Sequence, residues 1–323
     1  MKRIVIKAGV LILGGVSKLL PGSAALCLWR ARLYILSGQE LPAQQQLHRI
    51  LGDDPEHCDA LVQLGHSYVR IGQPEAAVPI YTRAMLLRPR DVELPFCLGN
   101  AWYESGDARR AIALYEGTTR LRPGHARAYF NLGHALKRLG QLERSAEAFQ
   151  GALRVEHRFY KARFMRAYVL SLMGRTNEAV HEYRQTIRHN RGYVKAYYNL
   201  GNCHLKQGDY LDAIHCYRMV LRLDRTYDKA YFALGQGYLR AGNLRRARTA
   251  FASALRLRPD RHACRLQLAH VLVRLDRKTE AILHYRVFLR DAPEGPDHAE
   301  VHRRLQEFRR ARVVSSTTLA AAS

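Results

Sequence analysis

Three segments of the chain are written in one register: "AYFNLGHALKRLGQL" from residue 128, "AYYNLGNCHLKQGDY" from 196 and "AYFALGQGYLRAGNL" from 230. The spacing is 34 residues, and it continues in both directions without a gap. Eight units result, beginning at Ala24, Cys58, Val92, Ala126, Tyr160, Val194, Asp228 and His262 and ending at Gly295. A fixed period of this length is the signature of a repeat architecture, in which no unit buries its apolar face alone and neighbours must stack.

Within each unit the apolar residues follow helical spacing twice, so each unit is predicted to be a helical hairpin. In the first seven units a turn glycine separates the two runs, at positions 38, 72, 106, 140, 174, 208 and 242. The eighth position of the unit holds only small residues: Gly65, Gly99, Gly133, Gly201 and Gly235, with Ala31, Ala167 and Ala269 in the others. Inside a helix each of those glycines costs about 1 kcal/mol relative to alanine. The twentieth position is alanine in every unit except for Ser145. The expectation is that small faces small across the hairpin, where dense packing outweighs the propensity lost.

These residues resemble the tetratricopeptide repeat, whose pattern is W-x2-L-G-x2-Y, then A-x3-F, then P. Leu64-Gly65-x2-Tyr68 and Leu98-Gly99-x2-Trp102 fit its first helix, and Ala213-x3-Tyr217, Ala247-x3-Phe251 and Ala281-x3-Tyr285 its second. Pro55, Pro89, Pro123, Pro259 and Pro293 supply the closing proline, whereas His157, Arg191 and Arg225 replace it. The resemblance implies an all-α fold, a right-handed superhelical solenoid of stacked hairpins over residues 24–295. A C-terminal capping helix is predicted over 296–312, with an apolar stripe of Val301, Leu305 and Phe308, and a disordered tail over 313–323.

Residues 1–23 have a basic start, an apolar stretch from Ala8 to Val16 and a Pro21-Gly22 stop. The uncharged run between Lys7 and Lys18 is too short to span a bilayer. A cap or interfacial anchor and a cleaved export signal remain alternative readings, and the chain is expected in the cytoplasm unless this segment exports it or attaches it to a membrane. The six cysteines show neither zinc spacing nor the density of a disulfide scaffold, which suits reduced, buried thiols.

In the family that the repeat resembles, positions 2, 5, 6, 9, 12 and 13 of the first helix face the ligand. Position 2 gives Arg127, Lys161, Lys195 and Lys229; position 5 gives Phe96, Phe130, Phe164, Tyr198 and Phe232. Asn131 and Asn199 stand at position 6, Asn100, His134, Tyr168 and Asn202 at position 9, and Lys206 at position 13. The position 5 rings have a second reading, as packing between neighbouring first helices. Asn100, Asn131 and Lys161 together resemble part of the carboxylate clamp of chaperone-binding members, although Phe96 and Met165 replace two further polar groups of that clamp.

Charge narrows the class of partner. The chain has 52 Lys and Arg against 28 Asp and Glu, a net +24. Only nine of the cations are lysines, yet five of them (Lys137, Lys161, Lys195, Lys206 and Lys229) fall on the ligand-facing positions. An arginine-rich composition alone would not place them there. The expected function is a non-enzymatic scaffold that binds an extended, acidic protein segment. Single-stranded nucleic acid, held by cations interleaved with aromatic rings, is the alternative, and recruitment to a membrane surface through the N-terminus is a third.

Nothing in the sequence points to a cofactor or to catalysis. His298 and His302 are four apart without a metalloprotease motif between them. His204, beside Cys203, occupies a position that is tyrosine in other units and is expected to be packed.

Overall fold

A computed structural model describes residues 23–320, with side chains through residue 310. The readings made for the first 22 residues lie outside the described part of the chain. Seventeen helices follow one another, with no strand among the described residues. In chain order they are α1 Ala24–Leu36, α2 Glu40–Asp53, α3 Cys58–Arg70, α4 Pro74–Leu87, α5 Glu93–Glu104, α6 Ala108–Leu121, α7 Ala126–Arg138, α8 Leu142–Val155 and α9 Tyr160–Leu172. The second half comprises α10 Thr176–His189, α11 Val194–Gln207, α12 Tyr210–Leu223, α13 Asp228–Arg240, α14 Leu244–Leu257, α15 His262–Arg274, α16 Lys278–Asp291 and α17 Pro296–Ala320.

Seven of the eight expected first helices begin at the expected residue, and α5 begins one residue later, after Val92. Each seven-unit turn glycine has a positive φ, between 75° and 101°, which a residue without Cβ adopts without steric cost. In the eighth unit Asp276 occupies that place with φ 58°.

The array divides into two compact units, residues up to Leu172 and residues from Met173. The sequence predicts one domain over 24–295. In a repeat array each hairpin rests only on its neighbours, so no single core enforces one undivided body.

The packing inside each hairpin corrects the small-against-small expectation. A Cβ placed on Gly65, Gly99, Gly133, Gly201 or Gly235 would stand 2.5–2.8 Å from a ring carbon of Tyr81, Tyr115, Phe149, Tyr217 or Phe251 respectively. The missing side chain is replaced by the aromatic ring at position 24 of the same unit, and those rings are buried to within 1%. Position 20 is also close: Ser145 Oγ donates to the Gly133 carbonyl at 2.7 Å, and every alanine at this position is fully buried.

Two joints that lack the closing proline keep a side-chain bond that the Pro55 joint also has, from Glu56 N–H to Asp54 Oδ1. Asn190 Oδ1 accepts from Gly192 N–H at 3.1 Å, and Asp224 Oδ1 accepts from Thr226 N–H at 2.9 Å. Such local bonds close a turn as a proline would pre-set it. In the third, His157 bonds the Leu153 carbonyl through Nδ1 at 2.8 Å.

At the C-terminus, Val301 is buried in one cluster with Phe288 and Tyr285, and Leu305 and Phe308 pack against it. The expected stripe is therefore the contact face of α17. The helix continues to Ala320, past residue 312 and into the segment expected to be disordered. No glycine or proline lies between Pro296 and Ala320 to stop it. None of the described helices is long and apolar enough to cross a membrane.

Candidate functional site

The residues on the first-helix face are fixed by the rings beneath them. Tyr115 donates from its hydroxyl to Asn100 Oδ1 at 2.8 Å, and Tyr217 donates to Asn202 Oδ1 at 2.8 Å. Tyr81 is bonded to His66 Nδ1 at 2.7 Å. In these three repeats position 9 anchors the hydroxyl of position 24. Burial raises the hydroxyl pKa of all three tyrosines, which keeps them protonated donors.

The position 5 rings pack along the same seam. Phe130 lies 5.6 Å from the ring of Phe149, 4.9 Å from Phe159 and 4.6 Å from His134. Phe96 lies 4.7 Å from His125 and 6.0 Å from Tyr115. In the second unit Tyr198 stands between Tyr217 at 5.9 Å and Tyr227 at 5.4 Å, and Phe232 lies 5.7 Å from Phe251 beneath the Arg261 guanidinium at 4.8 Å. Phe164 is buried, and the other four rings are half-buried. Tyr168 is half-buried, with Lys137 Nζ 5.5 Å from its ring centroid. Asn199 is half-buried beside Tyr198.

Position 2 divides by charge. Asp59 pairs with Arg88 at 2.7 Å and Glu93 with Arg122 at 2.9 Å, each arginine reaching back from position 31 of the same unit. In later repeats the charge is reversed and the pairing is gone. Arg127 and Lys161 in the first compact unit, and Lys195, Lys206 and Lys229 in the second, are exposed and make no ion pair. The acid available to Lys195 at position 31 is Asp224, whose carboxylate is occupied by Thr226 in its own turn. Those bonds hold the Asp224 carboxyl below its usual range.

In the first compact unit these elements enclose a cavity of about 330 Å³ between α5 and α7. Asn100, Asn131, Phe130 and His134 line it together with Tyr103, Glu104 and Tyr115. Asn131 Nδ2 donates to Asn100 Oδ1 at 2.7 Å, so that oxygen accepts two hydrogen bonds. The structure thus brings Asn100 and Asn131 together as a carboxylate clamp requires. It leaves Lys161 exposed and outside the cavity lining, and places the Glu104 carboxylate there instead, which would repel a bound carboxylate. Burial pushes His134 down to about 4, with Lys137 adding to the effect, so its imidazole is neutral at pH 7. Burial also raises the Glu104 carboxyl.

Tyr103 and Tyr115 are absent from the residues singled out by sequence. Glu104 carried a signal, since it is the one acid at position 13, where five repeats carry Arg70, Arg138, Lys206, Arg240 and Arg274 and two carry Leu36 and Leu172. His204 is buried, as expected, and Nδ1 lies 3.3 Å from Asp209 Oδ2. His204, Asp209 and Asp212 form a close His/carboxylate group, but both carboxylates are exposed.

Comparison with known proteins gives a consistent result. Family models described as tetratricopeptide repeat match residues 60–93, 96–156, 194–227 and 232–296, together more than half of the chain. No curated protein matches with comparable significance. Among solved structures, 485 chains match, so the likeness by itself selects no partner. YrrB, described as a TPR protein with an unusual peptide-binding site, is 20% identical over 57% of this chain and 95% of its own, with a TM-score of 0.52. The MamA RS-1 ArsTM double mutant is 21% identical over 51% and 93%, with a TM-score of 0.50. The Cut9–Hcn1 hetero-tetramer of APC/C is 16% identical over 88% of this chain and 56% of its own, at 0.52. At these identities the similarity is one of fold.

Proposed function

Because the chain belongs to the tetratricopeptide-repeat family, we propose that it is a non-enzymatic scaffold that holds an extended, acidic segment of another protein along the first-helix face of its repeats. One observation carries the reading. Arg127, Lys161, Lys195 and Lys229 recur every 34 residues as exposed cations without carboxylate partners, where earlier repeats carry neutralised acids. Exposed charges of one sign at fixed spacing favour an extended ligand of the other sign and speed its capture. Amides at Asn100, Asn131, Asn199 and Asn202 supply hydrogen bonds beside them.

A protein partner is supported by the solved relatives, one described by its peptide-binding site and another a hetero-tetramer. The position 5 rings favour protein over single-stranded nucleic acid, since they are packed against neighbouring rings rather than standing free for bases to stack on. The cytoplasm is the compartment we assign. All six cysteines are free and five are buried, and burial pushes Cys97, Cys216 and Cys264 up to about 12.

The test is affinity purification with wild type and with Lys161→Glu/Lys195→Glu, each with and without nuclease. The expected result is a partner that survives nuclease and is lost on charge reversal, with helicity unchanged. A nucleic-acid ligand that neutralises six or more cations would lose affinity by about three orders of magnitude between about 50 and 200 mM salt, whereas a peptide held also by amides loses much less. A partner retained by the double variant, or recovered only without nuclease, overturns the proposal.

A further inference from the structure

The cavity between α5 and α7 has the wrong charge for the ligand that the rest of the face suits. At position 13 the neighbouring repeats carry Arg70 and Arg138, and the repeat between them carries Glu104. Neither arginine pairs with it. Arg70 is bonded to Glu40 at 2.9 Å, while Arg138 donates to the Tyr103 carbonyl at 3.0 Å and lies 5.5 Å from the Tyr103 ring centroid. In a chain with a net charge of +24, this carboxylate faces a cavity with no cation of the chain against it.

The other groups in the lining suit the same kind of guest. Asn131 donates to Asn100 through Nδ2, which leaves its own Oδ1 able to accept. His134, neutral at pH 7, accepts through one ring nitrogen and does not repel a cation. The Tyr103 and Phe130 side chains add apolar surface against which an aliphatic stem packs. Glu104 is exposed, so an acidic side chain entering the cavity would meet its charge, and an apolar one would displace water from the carboxylate without pairing it. Of the carboxyls whose pKa the protein shifts, Glu104 is the one raised among the described residues, and partial burial is the cause.

We infer that the cavity lined by Glu104, Asn100, Asn131, His134, Phe130 and Tyr103 receives a lysine or arginine side chain of the bound segment. The inference rests on the peptide-binding reading above and sharpens it. The recognised segment is acidic where it passes Arg127 and Lys161 and carries one basic residue that enters the cavity. That residue sets the register of a chain which uniform charge attraction would let slide.

Two probes separate this inference from the reading beneath it. The first is Nα-acetyl-arginine methylamide, with Nα-acetyl-glutamate methylamide as control, followed by NMR of the asparagine side-chain amides in the full chain. Shifts at Asn100 and Asn131 are expected with the arginine probe alone, and they should vanish in Glu104→Gln. The second is a pair of synthetic acidic dodecapeptides that differ in one central residue, alanine or arginine. The arginine peptide should bind about tenfold tighter, as a charge-assisted bond in a partly desolvated site warrants, and Glu104→Gln should abolish that gain while leaving the alanine peptide unaffected. Arginine shifts without binding of either peptide would sustain the cavity assignment and defeat the acidic-segment reading. Equal binding of the two peptides with no arginine shifts would defeat the assignment alone, and a gain that persists in Glu104→Gln would do the same. Circular dichroism of Glu104→Gln should match wild type, since the carboxylate makes no internal bond.

Discussion

The hydroxyl of Tyr217 is tied to Asn202 Oδ1 at 2.8 Å, so a ring from the second helix of the hairpin is fixed by a side chain of the first. Tyr115 and Asn100 repeat the arrangement in the first compact unit. Removing either partner has unequal consequences. Asn202→Ala strands a buried hydroxyl and should cost about 1–3 kcal/mol, whereas Tyr217→Phe removes the hydroxyl itself and should cost less. Phe149 and Phe251 already occupy this place in other repeats. Chemical denaturation of the two variants reads the order directly, and the reverse order would mean the bond does not hold the ring.

Gly201→Leu should destabilise by roughly 1–3 kcal/mol through overpacking, despite the better helix propensity of leucine. A Cβ alone at this site comes within 2.6 Å of the Tyr217 ring, which is fully buried and has little room to yield. The measurement is the denaturant midpoint, and a raised midpoint would refute the close contact.

Asp276→Gly should stabilise by a few tenths to about 1 kcal/mol, because a left-handed backbone strains a side chain and not a glycine. The aspartate gives up only an exposed pair with Lys278 at 3.2 Å, worth little. Thermal and denaturant midpoints should both rise.

Acid should weaken the first compact unit through His134. Its pKa falls from the ordinary 6.5 to about 4 in the fold because burial disfavours the charged form. The unfolded chain therefore binds the proton more readily. The stability contributed by this group is fully present above pH 6.5 and is lost progressively as pH falls through 4. His66, His270 and His284 are shifted in the same direction, also by burial first, so His134→Gln should flatten the acid limb without abolishing it. Urea midpoints across this pH range provide the check, and an unchanged slope in His134→Gln would show that the imidazole titrates as if in water.

The hairpins, their starts and their turns were legible because each depends on residue types recurring at fixed spacing. Ala126, Tyr160, Val194, Asp228 and His262 each open the helix they were expected to open. What fills the space at Gly201 was misread for a geometric reason. Helical side chains lean towards the N-terminus, so the spot that position 20 marks in sequence is covered by the ring one turn later, at position 24. The cavity escaped notice because it is defined by a departure, Glu104 among arginines and lysines, which a summed charge hides. The two asparagines were named from their repeat positions. Their bond to each other depends on the stacking of adjacent repeats and has no counterpart in either repeat alone.

The choice between tyrosine and phenylalanine inside a hairpin governs what its outer surface is at liberty to become. A repeat built on Tyr115 or Tyr217 commits an asparagine to the ring below, and any change of recognition chemistry at that spot must first release a buried hydroxyl. A repeat built on Phe149 or Phe251 has no such obligation, and the outward residues there are His134 and Gln236. One oxygen atom in the interior thus separates the repeats of Tyr115 and Tyr217, whose ninth residue is held from below, from those of Phe149 and Phe251, whose ninth residue is released from that bond.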